Sequence, residues 1–358
     1  MNREDIQKIA LNKALEHKRC SLALSGGTGK TLIGLQHMAK HSSDSKFLVV
    51  APKKSIFQSW KDDAVKFNFE YLLKQITFCT YLSLPKQKPD FHTIYLDECH
   101  SLKLNHNEVL SKFNGSILGL TGTPPKHPHS EKSFMIDKYC PVIYSYNTDE
   151  AVDHKILNDY RIVVHYVNLD LNNNIKVTKP GITWMTSEVR LYNYWTARVD
   201  SSVGKMKQIA AIQRMKAMQL FVSKENKARE LLNSIGEYNK CLCFASTQEQ
   251  TAKICPATYH SNNKFSEKNL EAFKSGTLKK LCAVEQLSEG INIPNLKYGI
   301  IMHSYGNERK ASQKIFRFLR LNPDEQSTVH ILCFKNTIDE QWVKSALEDF
   351  NQDKITYI

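Results

Sequence analysis

The chain has 358 residues, 41% hydrophobic and 24% charged, a composition that excludes a disordered chain. That length suits about two domains of the usual ~150 residues. The formal net charge of +13 favours a polyanionic partner such as nucleic acid, with a merely basic globular protein as the plain alternative.

In chain order, apolar residues at helical spacing predict helices over 4–18, 30–41 and 55–68. Short runs rich in Val, Ile and Leu predict strands at SLALS, KFLVVAP, ITFCTY, HTIYLDE, SILGLTG and RIVVHYVNL. Such alternation predicts a mostly parallel sheet covered by helices on both faces. Doubly covered strands need no strict apolar–polar alternation, and these show none.

Between the first strand and the second helix stands Ser25-Gly26-Gly27-Thr28-Gly29-Lys30-Thr31. Gly29, Lys30 and Thr31 fit the end of the phosphate-loop pattern G-x-x-x-x-G-K-[ST], but Leu24 occupies its first Gly position. The strand before and the helix after supply the context the motif needs. Gly26, Gly27 and Gly29 permit left-handed turns that aim backbone N–H groups inward, and the helix N-terminus adds partial positive charge. Lys30 can reach the β- and γ-phosphates, and the Thr31 hydroxyl can ligate Mg²⁺. A plain Gly-rich strand–helix turn has no need of Lys-Thr directly after it.

In TIYLDECH, the apolar run ends at Asp97 and Glu98, beyond the carboxyl end of a buried strand, where α/β sheets bind ligands. Asp97 is the candidate to hold Mg²⁺, and Glu98 the candidate to orient or deprotonate an attacking water. Alone, such a pair is commonly a solvated edge. It gains meaning from the loop upstream.

Residues 171–186 carry Asn, Pro and Gly and mark the edge of the first domain. Residues 187–236 read as wholly helical, with Tyr192, Tyr194 and Trp195 as core packing in preference to a base-stacking platform. A second alternating series follows. Its strands are KCLCFAS, ATYHS, KKLCAVEQ, YGIIMHS and TVHILCFK, and its helices lie near 247–254, 266–275, 311–319 and 339–350. No short-period repeat appears.

SGGTGKT, DECH and LTGTP in this order resemble a superfamily 2 helicase, closest to chromatin-remodelling translocases and the small helicases of bacteriophages. The resemblance extends over most of the chain. It implies two tandem RecA-like domains, each a mostly parallel sheet flanked by helices, with a helical connection. The boundaries expected are 1–170, 171–222 for the linker and helical insertion, and 223–358. The resemblance places Gln7 near the adenine. LVVAPKKSIFQSWKDDAVKF resembles motif Ia, TYLSL the strand-contacting segment after it, and LTGTP motif III, with Thr121 and Thr123 coupling the ATP site to the nucleic-acid groove. His100 in DECH takes a linking position of the same kind. In the second half, CLCFASTQEQTAKI resembles motif IV. LSEGINIPN resembles motif V, with Glu289 and Gly290 near both ligands. QKIFRFLR resembles motif VI, with Gln313, Arg317 and Arg320 in register and Phe316 where the pattern has Gly. Arg317 and Arg320 are the implied arginine-finger groups.

The expected activity is ATP- and Mg²⁺-dependent movement along, or unwinding, annealing or remodelling of, DNA or RNA, with DNA favoured. Grip would fall mainly on the phosphate backbone, through Lys53, Lys54, Thr80 and Gln286. A non-hydrolysing binding factor of the same fold is the alternative, motivated by Leu24 and Phe316. A small-molecule phosphoryl-transfer enzyme ranks last, because it leaves the second half unexplained. His127 and His129 lack further ligands nearby for a metal, and Trp60 and Phe67 read as core. Nine cysteines without a C-x-x-C pair, no apolar run of membrane-span length and a charged start predict a cytoplasmic monomer with no membrane partner, in a host's cytoplasm if the chain is of phage origin.

Overall fold

The computed structural model describes all residues except Lys126, Pro180, 285–292, 304–313, Arg317 and 320–323. Two compact units divide the chain between Asn158 and Asp159.

In the first unit, strands β1 (Arg19–Leu24), β2 (Phe47–Ala51), β3 (Ile76–Thr80), β4 (Thr93–Asp97), β5 (Ser116–Thr121) and β6 (Val142–Tyr146) form one six-stranded sheet in the order β3-β2-β4-β5-β1-β6. Every pairing described in it is parallel. Strand β2 is buried at every position, as a strand covered on both faces must be. The covering helices include α1 (Arg3–Leu15), α2 (Lys30–Met38), α3 (Ser55–Lys66), α4 (Asn107–Lys112), α5 (Glu131–Tyr139) and α6 (Thr148–Asp153). Helix α1 opens on a reciprocal capping box between Asn2 and Asp5. Leu48, Val50, Leu96, Ile117, Ile136 and Tyr139 join strands and helices in one core.

The second unit takes Asp159–Leu319 and Glu325–Ile358. Its elements begin with β7 (Asp159–Val167), β8 (Ile175–Lys179), β9 (Ile182–Thr186), α7 (Glu188–Asp200), α8 (Gly204–Gln219) and α9 (Val222–Ser234). They continue with β10 (Cys241–Phe244), α10 (Gln248–Ile254), β11 (Thr258–Tyr259), α11 (Ser266–Ser275), β12 (Lys280–Ala283) and β13 (Tyr298–Ile301). Strand β14 (Gln326–Phe334), a helix here called α12 (Ile338–Leu347) and β15 (Ile355–Tyr357) complete it. The sheet runs β11-β12-β10-β13-β14-β7-β15 with parallel pairings.

Three expectations change. Residues 159–167 were expected in the first sheet, with the boundary at 170. They pair with β14 over nine residues, Asp159 with Gln326 through to Val167 with Phe334, and so belong to the second unit. An apolar strand buried on both faces suits either sheet, so its composition does not choose between them. Residues 171–186 are more than a break: β8 and β9 form an antiparallel hairpin, turning at Gly181 with φ +80°. Residues 187–236 form three helices. Tyr192 is core, its hydroxyl accepting from the Ile338 N–H at 2.9 Å, and Trp195 is packed against the same core. Tyr194 departs from the expectation and is 43% exposed, beneath the Arg198 guanidinium.

Buried polar groups tie the second unit together. Glu188, fully buried at the start of α7, accepts from the backbone N–H groups of Asp170 and Ser223 and from the Ser223 hydroxyl. It thereby serves the free N–H groups at the start of α9. Lys224 on α9, also fully buried, donates to the Asp339 carboxylate of α12 and to the Met302 carbonyl just beyond β13. Asp339 also accepts from the Phe334 N–H at the end of β14.

Removing one member of a buried ion pair strands the other charge at a cost of roughly 3–5 kcal/mol. Lys224→Met is therefore expected to destabilise the chain by about that much in urea titrations, and Lys224→Met with Asp339→Asn, which keeps an acceptor for the Phe334 N–H, to recover most of the loss. Burial also holds two histidines neutral. His37, beside Tyr95, His41 and His92, and His330, bonded to His165, are each pushed down to about 4. Unfolded histidine titrates near about 6.5, so the unfolded chain takes up these protons first. Stability is thus expected to fall as pH drops from about 6.5 towards 4, and His330→Gln to flatten the slope measured in urea melts at successive pH values.

Candidate active site

Strand β1 delivers the loop Ser25–Gly29 to the start of α2. Positive φ occurs at Gly27 (+79°) and at Gly29 (+94°), the N-cap of α2. Gly26, expected to share this role, is not among the left-handed residues. A Cβ on Gly29 would meet Gln7 Nε2 at 2.5 Å and an Arg3 guanidinium nitrogen at 3.1 Å, so both backbone angle and space demand glycine. Helix α1 braces the loop from that side. The buried Gln7 amide donates to the Thr28 carbonyl at 2.7 Å, and Arg3 reaches the same oxygen at 3.5 Å. The Thr28 hydroxyl closes the loop on the Ser25 carbonyl at 2.8 Å.

Lys30 folds back over the loop. Its Nζ donates to the Leu24 carbonyl at 3.1 Å and lies 3.5 Å from the Ser25 carbonyl. Leu24 closes β1 fully buried, and the tight turns come after it. Its side chain at the first pattern position therefore leaves the left-handed turns at Gly27 and Gly29 intact.

Strands β4 and β5 bring the other candidates to the same edge of the sheet, since β4, β5 and β1 are neighbours in that order. Asp97 ends β4. Its Oδ2 accepts from the Trp60 indole N–H at 2.8 Å, and its carbonyl from the Tyr81 hydroxyl at 2.9 Å. Burial pushes the Asp97 carboxyl up from its usual range, while the Trp60 bond and the Lys30 charge pull it back. Glu98 holds φ +51°, a left-handed conformation uncommon outside glycine and often stored at functional sites. His100 Nδ1 lies 3.3 Å from Glu98 Oε2 and 2.8 Å from Thr121 Oγ1. Thr121 Oγ1 in turn accepts from the Thr123 N–H at 3.1 Å. A Cβ on Gly122 would stand 3.3 Å from Lys30 Nζ. So Lys30, Asp97, Glu98, His100, Thr121 and Thr123 lie at neighbouring strand ends.

The residues fit a phosphate chain with its divalent cation. The loop has the left-handed glycines and helix start that suit anionic oxygens. The Ser25 and Thr123 hydroxyls have no hydrogen-bond partner among the described residues. Thr31 and Asp97 supply oxygen donors of the kind Mg²⁺ takes.

Lys53 and Lys54 are exposed where β2 passes into α3, and Thr80 ends the adjacent β3, in register with Ala51. These three candidates are therefore near one another. Gln286, Glu289, Gly290, Gln313, Arg317 and Arg320 lie outside the described residues. Phe316 is half-buried, its ring 5.5 Å from that of Phe350.

Sequence reasoning missed the supports. Trp60 is core as expected, yet its N–H is bonded to the candidate metal carboxylate. Arg3, Asp63 and Tyr81 went unremarked. A buried tryptophan needs a partner for its N–H, and that requirement was the available signal for Trp60.

Residues 1–126 match the family described as Type III restriction enzyme, res subunit, and residues 206–322 match the helicase conserved C-terminal domain. A protein called DNA 3'-5' translocase XPB2, from Sulfurisphaera tokodaii, is 24% identical over 367 residues, spanning 94% of this chain and 82% of that one. The fold is similar to that of the ATP-dependent Type ISP restriction-modification enzyme LlaBIII bound to DNA, with TM-score 0.64 and 15% identity over 98% of this chain. The chain spans only 31% of that enzyme's length. It is also similar to the Hef helicase domain of Pyrococcus furiosus, with TM-score 0.56 and 14% identity over 96% of this chain and 98% of the other. For S. cerevisiae Dbp5 bound to RNA and ADP BeF3 the TM-score is 0.61, with 11% identity over 99% and 89%.

Gly29→Ala must place a methyl group on the Gln7 amide at a left-handed backbone angle. It is expected to abolish nucleotide binding measured by calorimetry and to lower stability by about 1–3 kcal/mol.

Proposed function

Because the chain belongs to the superfamily 2 helicases, we propose that this ATP-dependent nucleic-acid translocase is a nucleic-acid-stimulated ATPase that works on DNA in preference to RNA. The observation that carries the reading is the placement of Lys30, Asp97, Glu98, His100 and Thr121 at neighbouring strand ends. The name of the Sulfurisphaera tokodaii relative favours DNA.

The roles follow from what each group can do. Backbone N–H groups of the loop bind the phosphates, and Lys30, leaving the Leu24 and Ser25 carbonyls, moves its charge onto the terminal phosphates. Thr31 and Asp97 are the residues that would hold Mg²⁺, which when bound neutralises charge on the β- and γ-phosphate oxygens. Glu98 orients the attacking water and accepts its proton. His100, bonded through Nδ1 to the Thr121 hydroxyl, sets its ring beside the Glu98 carboxylate and so places the end of β5 next to the hydrolytic carboxylate. Gln7 braces the loop and, by resemblance, faces the adenine. Arg317 and Arg320 are assigned by resemblance to the transition-state charge, and Gln313, Glu289 and Gly290 to the same nucleotide. Lys53, Lys54, Thr80 and Gln286 are assigned to the strand backbone. A cytoplasmic setting suits nine cysteines that are all free and buried. Among the described residues no helix is long and apolar enough to cross a membrane.

Leu24 and Phe316 gave grounds for a non-hydrolysing factor. Leu24 leaves the left-handed turns at Gly27 and Gly29 in place, which favours hydrolysis; Phe316 packs on Phe350, and the same ATP turnover assay decides whether its bulk weakens hydrolysis.

ATP turnover, measured with single- and double-stranded DNA and with RNA at several salt concentrations, tests the proposal. DNA is expected to stimulate turnover, and the stimulation to fall steeply with salt because the grip is on phosphates. Lys30→Ala is expected to lower turnover by about 10²-fold or more while the chain still folds. No stimulation by any nucleic acid would overturn the reading.

A further inference from the structure

Helix α3 touches both residues assigned to the cation, from one face. The Trp60 indole N–H donates to Asp97 Oδ2 at 2.8 Å. Three positions on, Asp63 stands near the Thr31 hydroxyl. Residues at i and i+3 share a helical face, so one rigid element holds both contacts.

Trp60 has no freedom to turn away. It is fully buried, and its ring lies where a Cβ on Gly34 of α2 would meet it at 2.6 Å. Its other flank packs edge-on against Tyr95 of β4, at 6.4 Å between ring centroids. The ring thus locks the helix after the phosphate loop to the strand before Asp97. With Oδ2 engaged by the indole, the carboxylate is held in one orientation. Asp63 has Lys66 and Arg3 near it as well as Thr31. The same helix begins directly after Lys53 and Lys54, on the side where Thr80 ends β3.

We propose that Trp60 and Asp63 are positioning residues for the cation held by Asp97 and Thr31, and that α3 carries strand contact at Lys53 and Lys54 to that cation. This rests on the ATPase reading above. A strand bound at Lys53 and Lys54 steadies α3, and with it Trp60 and Asp63, so the two oxygen donors are presented together. Strand binding then tightens cation capture, and ATP turnover rises as a consequence.

The test uses the full chain and follows Mg²⁺ binding apart from turnover. Mg²⁺ is titrated into the complex with a fluorescent ADP, with and without single-stranded DNA, for wild type and Trp60→Phe. A second variant carries benzothienylalanine at position 60, which keeps the bicyclic shape and replaces the N–H by sulfur. Partners that orient a metal ligand are commonly worth roughly 10–100-fold in metal affinity. The Mg²⁺ half-saturation is expected to rise by about that factor in both variants, with nucleotide affinity in EDTA and the melting temperature of the isosteric variant unchanged. DNA is expected to lower the half-saturation in wild type but not in either variant. Asp63→Asn is expected to blunt the DNA effect as well. An isosteric variant that binds Mg²⁺ as the wild type does overturns the proposal. So does one that loses metal-free nucleotide affinity in proportion, since that is a purely structural effect. If no nucleic acid stimulates wild-type turnover, the motor reading fails, while the Mg²⁺ titration without DNA still decides the role of Trp60.

Discussion

A strand covered by helices on both faces has no place for a charge along its length. The only polar ground is beyond its end, and in a parallel sheet all carboxyl ends lie on one edge. The first unit obeys this constraint strictly. Lys30 follows β1, Asp97 closes β4 and Thr121 closes β5, and the strand interiors before them hold uncharged residues only, such as Cys20, Ser21, Leu22, Ala23, Ile94, Tyr95, Leu96, Ile117 and Leu118. The chemistry is assembled by topology, because residues about 70 positions apart reach one edge through strand order alone.

The constraint carries a cost that the supporting residues offset. A carboxylate at the rim of an apolar core loses hydration, and burial alone would favour its neutral form. Trp60, the Glu98 backbone N–H and the Lys30 charge keep Asp97 usable as an anion. The same logic governs the second unit, where Lys224 and Glu188 are wholly buried and each is surrounded by partners from several elements. In both units the buried polar groups join helices to strand ends, which fixes the angle at which a helix lies on its sheet.

What could be read from the sequence was what is local in it. SGGTGKT, TIYLDECH and LTGTP each keep their chemistry within a few residues, and each fell where the strand and helix pattern put it. The glycine argument succeeded for Gly27 and Gly29 and failed for Gly26, because three permissive residues do not say which two will use their freedom. Trp60 looked like core and is core; its N–H partner lies 37 positions away, across a strand pairing that no spacing encodes. Strand β6 and the closing β15 were too short or too ambiguous in pattern to stand out. The β8–β9 hairpin hid behind the Asn, Pro and Gly that make its turn.

Strand β7 has a practical side for anyone dividing the molecule. It follows the first unit in the chain without a break, yet its partners on either side, β14 and β15, come from the last 33 residues. A fragment cut at 170 would leave a nine-residue, largely apolar strand with both edges bare, a ready template for joining one copy to another. The amino-terminal piece would then precipitate for a reason unrelated to its own soundness. Ending it at Asn158 removes that sticky ribbon, and a carboxy-terminal piece begun at Asp159 keeps its sheet whole.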